Sequence, residues 1–223
     1  MRITSRLLSS FLHFHNSPKW PNDLRQAVEK CCYVKQDFIS EEEESTLLAE
    51  VEPHMKRLRY EKSHWDDAIH LYREREQRKW RDENEKVIEK IRCESFGPDA
   101  KHLTHVHILD LHKDGVIKPH IDSVRYCGDV ITGLSLLSEA IMRLRHKDDR
   151  ENLVVDLLMP RRSLYRLGEL GRYDFLHEVL GDSESVWNGR KVPRYRRISI
   201  ICRDLPKQCN MATENLELKP IPE

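Results

Sequence analysis

Four times in this chain a histidine is followed two residues later by an aspartate: His64 and Asp66, His112 and Asp114, His120 and Asp122, His146 and Asp148. On a β-strand, side chains two apart share a face, so such a pair aims one imidazole and one carboxylate at the same spot. A second imidazole would complete the 2-His-1-carboxylate triad that holds Fe(II) and leaves metal positions open for chemistry. The motif alone is weak, because a chain with 12 His should contain about one such pair by chance. Context separates the four. His64 follows a charged, helix-like stretch, His112 lies at the turn signal Asp114-Gly115, and His146 opens the polar run 147–152. Only His120 and Asp122 lie between apolar strand-like runs, Val116-Ile117 before and Val130-Ile131 after. Downstream of them only His146 and His177 remain as a further ligand. His177 has the strand-like context and the spacing that lets a jelly-roll chain return beside its first strand. The spacing therefore favours His120, Asp122 and His177, against the plainer reading of a surface-paired His and Asp.

Past His177, the residues Arg197, Ser199, Ile201 and Arg203 share one strand face. Arg197 and Arg203 lie about 20 Å apart along an extended backbone, so both can grip one small molecule only by leaning inward. Leaning together, they would frame a short dicarboxylate, each planar fork pairing with one end. The same residues also suit a basic edge strand that guards against aggregation. Taken alone, this segment favours the edge-strand reading.

These side chains need a frame. The 223 residues, 39% hydrophobic and 34% charged, suit a soluble globular protein with one good core or two small domains. The apolar runs are too short for a transmembrane helix. Net charge is zero, which excludes a whole-molecule basic field for nucleic acid but not a local patch. Six cysteines without a C-x-x-C pair read as reduced thiols, not as a disulfide framework or a zinc site. Residues 1–20 carry Arg2, Arg6 and Lys19 and no acid, with Ile3, Leu7, Phe11 and Phe14 on one helical face: the pattern of a mitochondrial targeting segment. Residues 21–103 read as a helical region packing on the core. A capping box at Ser40 and Glu43 opens a helix with Leu47, Leu48, Val51, Met55 and Leu58 on its stripe, bent or interrupted at Pro53. A second helix covers Trp80 to Ile91 and ends at Gly97-Pro98. From 104 to 206 the period changes to two. Strands are expected at 106–111, 116–122, 130–137, 142–145, 153–159, 163–167, 175–180 and 197–203, with turns at Asp114-Gly115, Cys127-Gly128, Pro160, Gly168, Gly171 and Gly189. The expected fold is thus mostly β with N-terminal helices, its core a jelly roll or sandwich. Residues 207–223 read as a loose tail.

The order His-x-Asp, distal His, then two arginines six apart resembles that of the AlkB-like Fe(II)/2-oxoglutarate dioxygenases, most of all their mitochondrial branch. The matching segments are 64–70, 117–123, 133–138, 163–165, 172–175, 177–178 and 196–203, spread over roughly residues 35 to 206. The resemblance implies a double-stranded β-helix with Fe(II) on His120, Asp122 and His177. It implies 2-oxoglutarate and O2 as cosubstrates, with Tyr165, Arg197, Ser199 and Arg203 around the 2-oxoglutarate carboxylates. It also implies a mitochondrial matrix address and links to fatty-acid metabolism and regulated necrosis. One departure is visible. Where DNA-repair members carry Asn-x-Tyr ahead of the metal strand, the nearest positions here are Asp110 and His112. Little room precedes Thr104 for a nucleotide-gripping lid.

The expected enzyme is an Fe(II)/2-oxoglutarate-dependent dioxygenase, a monomer without a membrane span, acting on a protein or metabolite. A demethylase of methylated bases in mitochondrial RNA is the alternative, since Arg161 to Lys207 hold eleven Lys/Arg against six Asp/Glu. Stacking aromatics there are few: Tyr173, Phe175, Trp187 and Tyr195. A binding scaffold that has lost catalysis is a third reading.

Overall fold

The computed structural model describes residues 11–206. In chain order they form β1 (Leu12–Phe14), α1 (Asn22–Cys31), β2 (Cys32–Lys35), α2 (Glu41–Met55), β3 (Glu61–Ser63), β4 (Ile69–Gln77) and α3 (Asp82–Ser95). Then come β5 (Val106–His120), β6 (Val130–Leu136), β7 (Ala140–His146), β8 (Val154–Met159), β9 (Ser163–Gly168), α4 (Glu169–Tyr173) and β10 (Phe175–Val179). A small hairpin, β11 (Val186–Trp187) with β12 (Arg190–Lys191), precedes β13 (Arg197–Arg203).

The main strands follow one antiparallel path, β1-β8-β7-β10-β5-β13-β6-β9-β2, with β4 paired to β5 and β3 to β4. Strand β5 turns this path into a double-stranded β-helix. Its first half pairs with β13, from His107 opposite Ile201 to Leu111 opposite Arg197. Its end pairs with β10, His120 lying opposite His177. One strand thus serves both walls of the jelly roll.

Period-two alternation explains how the walls pack. Leu109, Leu111, Ile131, Tyr165, Leu167 and Ile201 share a buried cluster with Met142, Leu144, Phe175 and Val179. Their strand neighbours Ile108, Leu134, Leu164, Ile198, Ile200 and Cys202 pack instead with Leu47, Val51 and Met55 of α2 and Val87, Ile88 and Ile91 of α3. Each such side chain contributes roughly 1.5–3 kcal/mol by leaving water. The β-sheet of β13, β6 and β9 is therefore coated by helices on one side and faces a cavity on the other.

Helix α2 starts as its sequence dictates. The Glu43 amide donates to Ser40 Oγ at 3.0 Å, and the Ser40 amide donates to Glu43 Oε2 at 2.7 Å. Pro53 sits in the last turn and does not interrupt the helix, which runs to Met55. Leu58 falls beyond it and is exposed. The second helix spans Asp82–Ser95, with Val87, Ile88 and Ile91 buried as expected.

Three expectations need correction. Asp114-Gly115 is not a turn. Strand β5 runs through it, and the irregularity lies opposite, where Leu71 adopts φ 52 and the β4–β5 register shifts. A Cβ on Gly115 would lie 2.7 Å from the Leu71 carbonyl oxygen, so glycine lets the two backbones close on each other there. The region 21–103 is not only helical, since β2 and β4 belong to the main sheet. Phe14 does not lie on a helix. Leu12–Phe14 extend the sheet beside β8, and Phe14 and Trp20 are buried. Of the targeting segment expected over residues 1–20, residues 1–10 lie outside the described residues, as does the tail 207–223.

Candidate metal centre

His120 ends β5 and Asp122 follows two residues later, while His177 sits mid-strand on β10, directly across from His120. Pairing of two strands that are distant in the chain thus brings the three side chains together. The imidazole centroids of His120 and His177 are 4.2 Å apart. Asp122 Oδ1 lies 3.2 Å from His120 Nε2 and 3.6 Å from His177 Nε2. One ligand atom from each residue falls within 4.8 Å of the others, the only such group of three or more potential ligands among the described residues. His120 Nδ1 lies 2.9 Å from the Lys118 carbonyl, to which it can donate, leaving Nε2 free to face Asp122.

The charge states suit a divalent cation. Burial opposes ionisation of Asp122, but the His120 hydrogen bond, Arg203 and His177 outweigh it and hold the carboxyl well below the usual range. Burial, then the neighbouring His120, pushes His177 down to about 3, so its imidazole is neutral and has a lone pair to give. Burial lowers His120 as well, yet the Asp122 and Lys118 hydrogen bonds outweigh it and raise it. The donor set of two imidazoles and one carboxylate fits Fe(II), and no cysteine competes for it within the group.

The second constellation lines the same cavity. His120, Asp122, His177, Tyr165, Arg197, Ser199 and Arg203 all border it. Because β13 lies between β5 and β6, the edge-strand reading of its arginines fails. The two arginines are differently engaged. Arg203 Nε donates to Asp122 Oδ2 at 3.2 Å, so the carboxylate turns one oxygen to the arginine and the other to the histidines. Arg197 is 2% exposed, donates to Ser135 Oγ at 2.8 Å, and has no carboxylate partner among the described residues. The Arg197 guanidinium carbon lies 5.7 Å from the Tyr165 ring centroid. Ser199 Oγ is buried without a hydrogen-bond partner among the described residues. A buried cation and an orphaned hydroxyl facing one cavity are costly unless an anion completes them. The carboxylate end of 2-oxoglutarate fits that need.

Asp110 and His112 do not take the place of the Asn-x-Tyr pair. Asp110 is fully buried on the opposite face of β5, bonded by Arg73 Nε at 2.7 Å and Arg196 Nη2 at 2.7 Å. The residues of β5 that line the cavity are His107, Leu109, Ile117 and His120.

His107 escaped the sequence reading. Its Nδ1 lies 3.2 Å from Arg203 Nη1, and its Nε2 lies 2.8 Å from Glu74 Oε2 on β4. The parity of the strand Val106–Leu111, the signal that located His120 and Asp122, would have found it. Arg172 was read only as part of the family resemblance. It is 2% exposed, no guanidinium nitrogen has a hydrogen-bond partner among the described residues, and its charge is felt by His177. Nothing in local sequence distinguishes it from a surface arginine.

No protein-family model matches the chain. Over 174 residues it is 49% identical to the mitochondrial alpha-ketoglutarate-dependent dioxygenase alkB homolog 7 of Mus musculus, covering 78% of each chain. Its identity to the Bos taurus protein of the same name is 45% over 180 residues, 81% of each chain. In fold it is similar to a prolyl-4-hydroxylase of Pseudomonas putida, with TM-score 0.55 at 13% identity over 79% of this chain and 93% of that one. By its similarity to the mouse and bovine proteins, with a jelly roll of the expected kind around the cavity, the chain belongs to the alkB homolog 7 family of mitochondrial alpha-ketoglutarate-dependent dioxygenases.

Proposed function

We propose that the chain holds Fe(II) through His120, Asp122 and His177 and oxidises a protein side chain or small metabolite in the mitochondrial matrix. The observation that carries this reading is the convergence of the three ligand atoms on a cavity also lined by Arg197, which has no carboxylate partner among the described residues. When bound, the iron supplies oxidation of an unactivated C–H bond by O2, coupled to conversion of 2-oxoglutarate to succinate and CO2. The chain's own residues bind and orient. Arg197, Ser199 and Tyr165 receive a carboxylate of 2-oxoglutarate, the guanidinium supplying a charged fork and the hydroxyls hydrogen bonds. Arg203 fixes the rotation of Asp122. Leu109, Ile131, Leu167 and Ile201 exclude water around these groups, which strengthens each charged contact.

The basic excess between Arg161 and Lys207 does not form a phosphate-binding face among the described residues. Arg161 pairs with Glu44, Arg162 with Asp37, Arg166 with Glu169, Arg190 with Glu139, Lys191 with Asp182 and Arg196 with Asp110. Arg172, Arg194 and Arg197 are buried. This favours a protein or metabolite substrate over RNA. One observation supports RNA as the second reading. Trp65, in the β3–β4 connection, is 89% exposed and adjoins Asp66, whose charge reaches His120, so an exposed stacking surface lies near the metal site.

The test uses the full chain with Fe(II) and labelled 2-oxoglutarate. Release of labelled CO2 that Asp122→Ala abolishes supports the dioxygenase. Equal succinate production by that variant would refute the ligand assignment, and absence of both turnover and metal uptake would favour the scaffold reading. Methylated RNA then separates the substrates, since demethylation lost in Trp65→Ala would establish the second reading.

A further inference from the structure

Three neighbouring strands set a row of polar side chains on one face of the sheet. His107 on β5 lies opposite Ile201 on β13 and, on its other side, opposite Glu76 on β4. Arg203 and Glu74 are therefore its diagonal neighbours, two residues further along each strand and on the same face. The contacts follow that row. Glu74 Oε2 lies 2.8 Å from His107 Nε2, and His107 Nδ1 lies 3.2 Å from Arg203 Nη1. Arg203 Nε and Nη2 each lie 3.2 Å from Asp122 Oδ2. These partners fix the tautomer. A guanidinium nitrogen only donates, so His107 Nδ1 accepts, and the ring proton sits on Nε2, where it donates to Glu74. That hydrogen bond holds the Glu74 carboxyl below its ordinary value against burial. Arg203 thus donates to Asp122 along one edge and to His107 from its remaining nitrogen, and His107 passes the donation on to Glu74.

We propose that His107 is a positioning residue of the metal centre: oriented by Glu74, it holds the Arg203 guanidinium against Asp122 and so sets which way that carboxylate turns. The inference rests on the reading of His120, Asp122 and His177 as metal ligands. A long arginine side chain held along one edge alone still pivots about that contact. The His107 contact, made through a different nitrogen, fixes the plane of the guanidinium. Charge makes this hold necessary. A divalent ion on the triad repels the Arg203 cation, and the Asp122 charge that attracts the arginine is then shared with the ion. Glu74 supplies a second anion, reaching Arg203 through His107, that offsets the repulsion. Groups that orient a ligating carboxylate in this way govern metal affinity without touching the metal. Both nitrogens of His107 are engaged by protein partners, so its part is to position and not to carry a proton.

The test titrates the metal-free full chain with Co(II), a redox-stable stand-in for Fe(II) whose visible absorption reports the geometry of its ligands. His107→Leu removes both hydrogen bonds, and urea unfolding checks that the variant folds. The expected result is Co(II) binding weaker by about tenfold, with altered visible bands. In an Arg203→Gln background the same substitution should weaken binding by no more than about twofold, because the residue it acts through is gone. An equal loss in both backgrounds is what a merely structural role predicts, and it overturns the inference, as do unchanged affinity and bands in the single variant. Co(II) affinity that Asp122→Ala leaves unaltered would remove the ligand reading, and this inference with it. Should His107→Leu not fold, Glu74→Ala carries the same test, with a severalfold loss expected that Arg203→Gln abolishes; no loss would overturn the inference.

Discussion

Asp122 divides its oxygens between two tasks, Oδ1 toward the histidines and Oδ2 toward Arg203, while Arg197 donates to Ser135 and has no carboxylate partner among the described residues. Replacing Arg197 by Lys keeps the charge and loses the planar fork. The expected loss is about 1.5–3 kcal/mol, roughly ten- to hundredfold in KM for 2-oxoglutarate, measured by succinate formation at saturating iron. An unchanged KM would place the cosubstrate elsewhere. At this scale the sequence was informative wherever strand alternation applied. It separated His120 and Asp122 from three decoy pairs, and it put Arg197, Ser199, Ile201 and Arg203 on one face. It was silent on the division of labour between the arginines, because which one meets Asp122 depends on a strand contact distant in the chain. Glu74 and Arg172 were missed for the same reason, since a charged residue beside a cavity looks in sequence like one in water, whereas strand parity would have found His107.

Strands β5 and β8 show how elements set the site. Gly115→Ala should strain β5 against the Leu71 and His70 carbonyls, which a Cβ would approach to 2.7 and 2.9 Å. A loss of about 1–3 kcal/mol in urea unfolding, with weaker iron retention from a displaced His120, is expected; full stability would deny the close approach. Strand β8 carries Asp156, which accepts from Arg143 at 2.7 and 2.9 Å and lies 2.8 Å from His15, just past β1. Burial opposes the Asp156 charge, but Arg143 and His15 lower its carboxyl below the ordinary value. A carboxyl lowered by folding stabilises fully above its unfolded value, about 4, and loses that contribution as pH falls through the folded value. Asp156→Asn should thus cost about 3 kcal/mol near neutral pH and progressively less in acid, read from denaturant midpoints. A pH-independent cost would contradict the ion-pair account. The core strands were legible because apolar residues alternate in them. Strand β4 was not, since Arg73, Glu74, Arg75 and Glu76 put charge on both faces and are satisfied only by partners such as Asp110 and His107. The bulge at Leu71 turned an apparent turn signal into a continuous strand.

Across the whole molecule, one long strand shared between the two walls sets His120 opposite His177 at its end and pairs along its first half with β13, which carries Arg197 and Ser199. Helices α2 and α3 coat one wall, which leaves the other face free to enclose a cavity. The net charge is zero, so association with a polyanion is not expected from the overall field. The jelly roll was readable from the spacing of short strands, whereas the strand order, and with it the position of the N-terminal strand β1 beside β8, was not. The most direct test of the account is a crystal of the full chain loaded with Fe(II) without oxygen, measured at the iron absorption edge. The expected result is one anomalous peak about 2 Å from His120 Nε2, Asp122 Oδ1 and His177 Nε2. A peak elsewhere, or one that His177 does not touch, would contradict it.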